Sequence, residues 1–231
     1  MAFSTNPQVK LYTYYRSSCS ARLRIALALK NLPREDVHVN LIANQHQQHA
    51  YTAINPSGTV PTLFITNGDQ TTIITQSIAA LEYLDEGFPK TYQLLPKDAS
   101  ARATVRTLVG IIACDVQPPT NLRILNRVKK LAVVAGDDPA VASQAWAREL
   151  MAEGLRAYEA VCKETAGIYS VGDEVSMADV CLVPAMWGAE RFGVDLRELP
   201  TILRVYGALK GLEEVKAAHW QAQSDCPVDL R

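Results

Sequence analysis

Along the first third of the chain the apolar positions switch between a period of two and a helical period. Residues 9–13 read as a strand, and residues 20–30 as a helix with Leu23, Ile25, Ala26, Leu27 and Leu29 available for burial. Val37, Val39 and Leu41 alternate with polar residues, the spacing of a second strand. Residues 44–52 are too rich in Gln and His to form a core element. Residues 62–65 and 72–74 then flank Asn67-Gly68-Asp69, a hairpin signal. Within residues 76–85, Ile78, Leu81 and Leu84 lie on one helical face. The order β-α-β, then β-β-α, predicts a small mixed sheet with helices in a thioredoxin-like arrangement.

The rest of the chain has a different pattern. Residues 89–96 form a Pro-containing connector, and beyond it strand signals largely vanish. Residues 101–127 carry Val105, Leu108, Ile112 and Val116 at helical spacing, and residues 139–164 place Trp146, Leu150, Leu155 and Tyr158 near one face. Ser176-Met177-Ala178-Asp179 resembles a capping box opening a further helix, with Pro184 expected to kink it. Residues 203–218 suggest one or two short helices. The expected architecture is α/β plus all-α: a first domain over residues 1–88, a linker over 89–96, and a helical domain over 97–231.

Composition narrows the function classes. The chain has 231 residues and a formal net charge of -1, so it carries no bulk electrostatic footprint for nucleic acid or an anionic membrane. No apolar run approaches membrane-spanning length, and the opening MAFSTNPQVK lacks the apolar stretch of a signal peptide. The five cysteines are scattered singly, which argues against a disulfide framework or structural zinc and for a reducing compartment, the cytoplasm by default. The histidines show no ligand clustering beyond His46 and His49 in a polar loop, and no metal is expected.

Candidate chemistry starts where the first strand gives way to the first helix. Arg16-Ser17-Ser18-Cys19-Ser20 occupies that junction, where free N–H groups and the helix dipole favour a thiolate or other anion. Ser17 and Ser20 stand where a redox thioredoxin has its Cys-x-x-Cys pair. A serine there forms no disulfide, but its hydroxyl can donate to the thiolate of a bound molecule; the plainer role is to cap the helix. Cys19 is either a nucleophile of lowered pKa or a small half-buried residue. Tyr14 and Tyr15 are either thiolate donors or packing. Val60-Pro61 precedes the third strand, and a cis proline would leave the Val60 N–H and C=O to pair with an extended peptide; a trans, strand-initiating proline is the alternative. Gln76-Ser77 begins a helix, whose N–H groups and hydroxyl could hold a carboxylate. A thiol-facing serine, a Val-Pro edge and a carboxylate-binding helix start together match the three parts of glutathione.

The segment from Tyr14 through Leu27 resembles the signature of zeta-class glutathione transferases, the class that includes maleylacetoacetate isomerases. The likeness continues through Asn55-Pro56, Val60-Pro61-Thr62, Gln76-Ser77-Ile78-Ala79, Gln117-Pro118, Asn121-Leu122, Gly172-Asp173-Glu174-Val175, Met177-Ala178-Asp179 and Glu190-Arg191-Phe192, over nearly the whole chain. The resemblance implies a homodimer in which Ser17 positions and activates the glutathione thiol, with Ser18 and Cys19 lining the same site. It implies glutathione contacts for Gln48, Val60, Gln76, Ser77, Gln117 and Asn121, and a substrate carboxylate for Arg191. Arg22 is a second anion candidate, or a support of the fold. The implied reaction is cis–trans isomerisation of maleylacetoacetate in tyrosine and phenylalanine catabolism. A conjugating or dehalogenating transferase, a thioltransferase using Cys19 and a non-catalytic glutathione-binding scaffold are the alternatives. Ala21, Cys114-Asp115 and Arg123 depart from the family pattern and bear on substrate preference rather than on the glutathione elements.

Overall fold

A computed structural model describes residues 7–231; the reading of the chain's opening as free of a leader falls largely on residues 1–6, outside them. The chain divides into two compact units, one of residues up to Leu94 together with Gly211–Arg231, the other Leu95–Lys210.

The first unit contains β1 (Gln8–Thr13), α1 (Ser18–Leu29), β2 (Glu35–His38), α2 (His49–Thr52), β3 (Thr62–Asn67), β4 (Gln70–Ile74) and α3 (Ser77–Gly87). The sheet runs β2-β1-β3-β4, with β1 parallel to β2 and antiparallel to β3, and β3 antiparallel to β4. A parallel neighbour needs a crossover, and α1 supplies it. In β1 the buried residues are Val9, Leu11 and Thr13, the alternation of a strand packed on one face. The hairpin turns at Gly68, whose φ of +61° suits glycine. The second strand lies earlier than the alternation at 37–41 predicts. Among the described residues it is an edge strand that pairs only with β1, whose register fixes it, and Val39 follows it with its N–H on Thr13 O. Helix α1 is buried from Ser20 to Leu27, including Arg22 and Arg24, so it lacks a solvent face over most of its length.

Expected as part of the helical domain (97–231), Gly211–Arg231 instead groups with this first unit. Its helix, called α9 below (Glu213–Ala218), packs on α1, and Cys226 joins Tyr14, Tyr15, Val39, Tyr51 and Val60 in one buried cluster.

The second unit contains α4 (Ala99–Gly110), α5 (Leu122–Ala135), α6 (Pro139–Thr165), α7 (Met177–Phe192) and α8 (Pro200–Lys210). The periodic stretch expected at 101–127 is not one helix. Past α4 the chain widens into a π-helical turn at Ile111–Val116 and breaks at Pro118-Pro119, which lack the N–H groups a helix needs. Asn121 then caps α5 by accepting from Ile124 N at 3.0 Å. Val105, Leu108, Ile112 and Val116 are all buried, as their spacing predicts. Trp146 departs from its expected inward face: it is exposed and donates Nε1 to Pro119 O at 3.0 Å. The Ser176/Asp179 capping box is present, and α7 continues through Pro184.

Candidate active site

Strand register brings three of the singled-out segments to one end of the sheet. Tyr12 near the end of β1 pairs with Thr62 at the start of β3, and Leu63 pairs with Ile74 at the end of β4. The chain therefore leaves β1 toward Ser17, enters β3 from Val60-Pro61, and leaves β4 toward Gln76-Ser77 at the same end.

Ser17 is the N-cap of α1, in extended conformation. Its N–H donates to Tyr14 O at 3.0 Å, and its Oγ accepts from Ser20 N at 3.1 Å. A hydroxyl has one proton and two acceptor lone pairs. Capping thus fixes the Ser17 oxygen with a lone pair and leaves its proton for an outside acceptor. Both roles set out for Ser17 are compatible in one geometry. Ser18 and Cys19 follow as the first residues of α1, each half-buried.

The Val60–Pro61 peptide is cis. Val60 is buried, and its N–H and C=O make no hydrogen bond among the described residues, leaving a short open main-chain edge. Beside it, Tyr51 Oη and Asn55 Nδ2 both donate to Thr59 O at 2.7 Å, which holds the approach to the cis bond.

At the start of α3, Ser77 is buried and its Oγ accepts from Arg22 Nη1 at 3.1 Å. Gln76 is the N-cap residue but makes no capping bond, so its exposed amide leaves the first-turn N–H groups uncovered. Gln48 likewise precedes α2 without capping it, and is exposed. Arg22 is 2% exposed, with its guanidinium on the Ser77 hydroxyl rather than at the surface. Tyr14 and Tyr15 are both buried, their rings edge-on at 4.6 Å, and burial pushes the Tyr14 hydroxyl pKa well above its ordinary value. Both tyrosines pack here.

In the second unit Gln117 closes the π-helical turn, half-buried, with its N–H on Ile112 O. Cys114 and Asp115 are exposed within that turn, a backbone form often found at functional sites. Asn121 uses its side-chain oxygen to cap α5, and Arg123, two residues on, is exposed. Arg191 is exposed near the end of α7, its guanidinium 4.5 Å from the Phe192 ring centre.

Two residues that pattern reading passed over hold the chain ahead of Ser17. Arg24, 1% exposed, donates to Thr13 Oγ1, Tyr14 O and Tyr15 O, and through Nε to Ala218 O. Asp225 accepts the Tyr15 N–H at 2.9 Å. Arg24 has a sequence signal, a second charge beside Arg22 inside a mostly apolar helix; Asp225, far along a polar tail, has none.

The glutathione fit can be judged on these features. An open main-chain edge, a donor serine at one helix start and uncovered N–H groups at another present a peptide strand, a thiol and a carboxylate with complementary partners. Residues 16–86 match the model of the glutathione S-transferase N-terminal domain, and residues 126–211 that of the C-terminal domain. A maleylacetoacetate isomerase of Aspergillus fumigatus is 52% identical, the match covering 100% of this chain and 98% of that protein. A solved maleylacetoacetate isomerase of Anaeromyxobacter dehalogenans, with dicarboxyethyl glutathione and citrate in its active site, superposes with a TM-score of 0.87 at 36% identity, covering 99% of this chain and 98% of that one. A bacterial maleyl pyruvate isomerase described as a zeta-class glutathione S-transferase superposes at 0.86 with 40% identity, covering 94% and 100%. The chain belongs to the glutathione S-transferase family and, within it, to the zeta-class maleylacetoacetate isomerases.

Proposed function

We propose that the protein is a glutathione-dependent isomerase that converts maleylacetoacetate to fumarylacetoacetate, in tyrosine and phenylalanine catabolism. The observation that carries this reading is the Ser17 hydroxyl, its oxygen fixed by Ser20 and its proton left to donate, at the sheet end where the Val60 edge and the start of α3 also open. When bound, glutathione supplies a sulfur nucleophile whose reversible addition beside the conjugated carbonyl turns the double bond single and lets it rotate.

Each residue then has a definite task. Ser17 donates to the sulfur, and the N-terminal dipole of α1 adds to its preference for the ionised form. The Val60 main chain pairs with the peptide, and Ser77 with the first-turn N–H groups of α3 takes a carboxylate. Arg22 holds the Ser77 hydroxyl in place. Gln48 and Gln76 supply further polar contacts. Ser18 and Cys19 shape the floor around the sulfur, with Cys19 modulating turnover rather than forming an obligatory covalent bond. Gln117 and Asn121 are assigned to glutathione and Arg191 to a substrate carboxylate, whose negative charge its guanidinium would pair with. The dicarboxyethyl glutathione in the Anaeromyxobacter relative supports a site that accepts dicarboxylates on the sulfur.

The reading extends to a homodimer in the cytoplasm. No helix among the described residues is long and apolar enough to cross a membrane.

Absorbance-followed isomerisation of maleylacetoacetate, or of its smaller analogue maleylacetone, tests the reaction. Turnover is expected only when glutathione is present. Isomerisation that proceeds equally without it, or none despite measured glutathione binding, would overturn the assignment.

A further inference from the structure

Ser17 can cap α1 and face a thiol only if the turn between β1 and α1 is held in place. Among the described residues most of that turn pairs with no strand, so its position depends on side chains. Tyr15, two residues before Ser17, is gripped on both sides of its backbone. Its C=O accepts from Arg24 Nη2 at 3.0 Å, and its N–H donates to Asp225 Oδ2 at 2.9 Å. The neighbouring Tyr14 C=O accepts both from Arg24 and from the Ser17 N–H, so the grip passes directly to Ser17.

The other carboxylate oxygen of Asp225, Oδ1, is buried and makes no hydrogen bond among the described residues. It lies 3.4 Å from Nδ1 of His38 at the end of β2, and His38 Nε2 is 3.0 Å from Ser224 Oγ. The carboxylate is mostly buried, with 14% of its side chain exposed, so its bond to the Tyr15 amide is shielded from water.

We propose that Asp225 is a positioning residue for catalysis: by accepting the Tyr15 N–H it sets where the Ser17 hydroxyl lies, and so how strongly the site favours the ionised thiol of glutathione. The tail after α9 is then part of the catalytic apparatus without touching the substrate. This rests on the reading that Ser17 activates the thiol. A hydrogen bond to a thiolate depends steeply on distance and angle, so a small shift of the turn is enough to change the thiol's acidity.

The test is a pH titration of the ultraviolet thiolate absorbance of glutathione bound to wild type, Asp225→Ala, Asp225→Asn and Ser17→Ala, with unfolding temperatures measured alongside. Asp225→Ala is expected to raise the apparent thiol pKa by about one unit, which is a roughly tenfold smaller thiolate fraction below it. Asp225→Asn keeps an oxygen for the Tyr15 N–H and is expected to fall between wild type and Asp225→Ala; it carries the test if the alanine variant does not fold. If Ser17→Ala shifts the titration but both Asp225 variants titrate as wild type, Asp225 is only structural and the inference is overturned. If Ser17→Ala also leaves the titration unchanged, the reading of Ser17 fails first, and the inference with it.

Discussion

Arg22 donates Nη1 to the Ser77 hydroxyl at 3.1 Å, joining the interior of α1 to the first residue of α3. The two helices whose N-termini face the proposed thiol and carboxylate sites are thus tied by one charged hydrogen bond. Such a bond is worth about 1.5–3 kcal/mol when buried. Replacing Arg22 with Met should therefore lower stability by about that amount and loosen the start of α3. Calorimetric titration is expected to show glutathione binding weakened by roughly tenfold or more, the equivalent of 1.4 kcal/mol or more. Unchanged affinity in a folded Arg22→Met protein would contradict the role of support.

The thiols should divide by environment. Cys19 is half-buried at the start of α1 and Cys114 is exposed, whereas Cys162, Cys181 and Cys226 are buried. Burial pushes the Cys162 thiol up to about 11, so almost none of it is thiolate at neutral pH. A thiol-specific reagent applied to the folded protein is expected to label Cys19 and Cys114, and the other three only after denaturation. Rapid labelling of Cys162 in the native state would show that the second unit opens locally.

Tyr14 and Ser17 make opposite predictions for the identity of the thiol's donor. The Tyr14 side chain is buried and its hydroxyl pKa is raised by that burial, so Tyr14→Phe should change kcat by less than about fivefold, or under 1 kcal/mol of barrier. Steady-state kinetics at saturating glutathione reads this directly. A loss as large as that of Ser17→Ala would move the donor role to Tyr14.

In the second unit Asp179 anchors the start of α7. It is fully buried and accepts from Ser170 N at 2.9 Å and from both the N–H and the hydroxyl of Ser176 at 2.8 Å. Asp179→Ala leaves two buried backbone N–H groups without that acceptor, at about 1–3 kcal/mol each. Urea unfolding is expected to show a loss of several kcal/mol, with Asp179→Asn losing less because one oxygen remains. A loss under 1 kcal/mol for the alanine variant would mean that another acceptor replaces the carboxylate.

Local signals were legible in the sequence where one residue type does one local job. The alternation of β1, the Asn67-Gly68-Asp69 turn, the Ser176/Asp179 box and the serine at the head of α1 each announce themselves within a few residues. The π-helical turn does not, because Val105 to Val116 keeps a helical spacing through it and only Pro118-Pro119 marks the break. β2 lies earlier than its alternation predicts because an edge strand takes its register from β1, not from its own two faces. The return of residues 211–231 to the first unit is not legible either: α9 packs on α1, Cys226 joins the Tyr14/Tyr15 cluster and Asp225 bonds Tyr15, and none of these residues names its partner in the sequence. The open Val60 edge was legible only through the Val-Pro pair, since an unpaired backbone group has no residue type of its own.

The most direct test of the account is the kcat of Ser17→Ala for maleylacetone isomerisation at saturating glutathione, beside wild type. Loss of one preorganised donor to a developing or resident anion typically costs two to three powers of ten, so a fall of about a hundredfold or more is predicted, with glutathione still bound through Val60 and Ser77. A kcat within a few-fold of wild type, in a variant that still binds glutathione, would contradict Ser17 as the residue that activates the thiol.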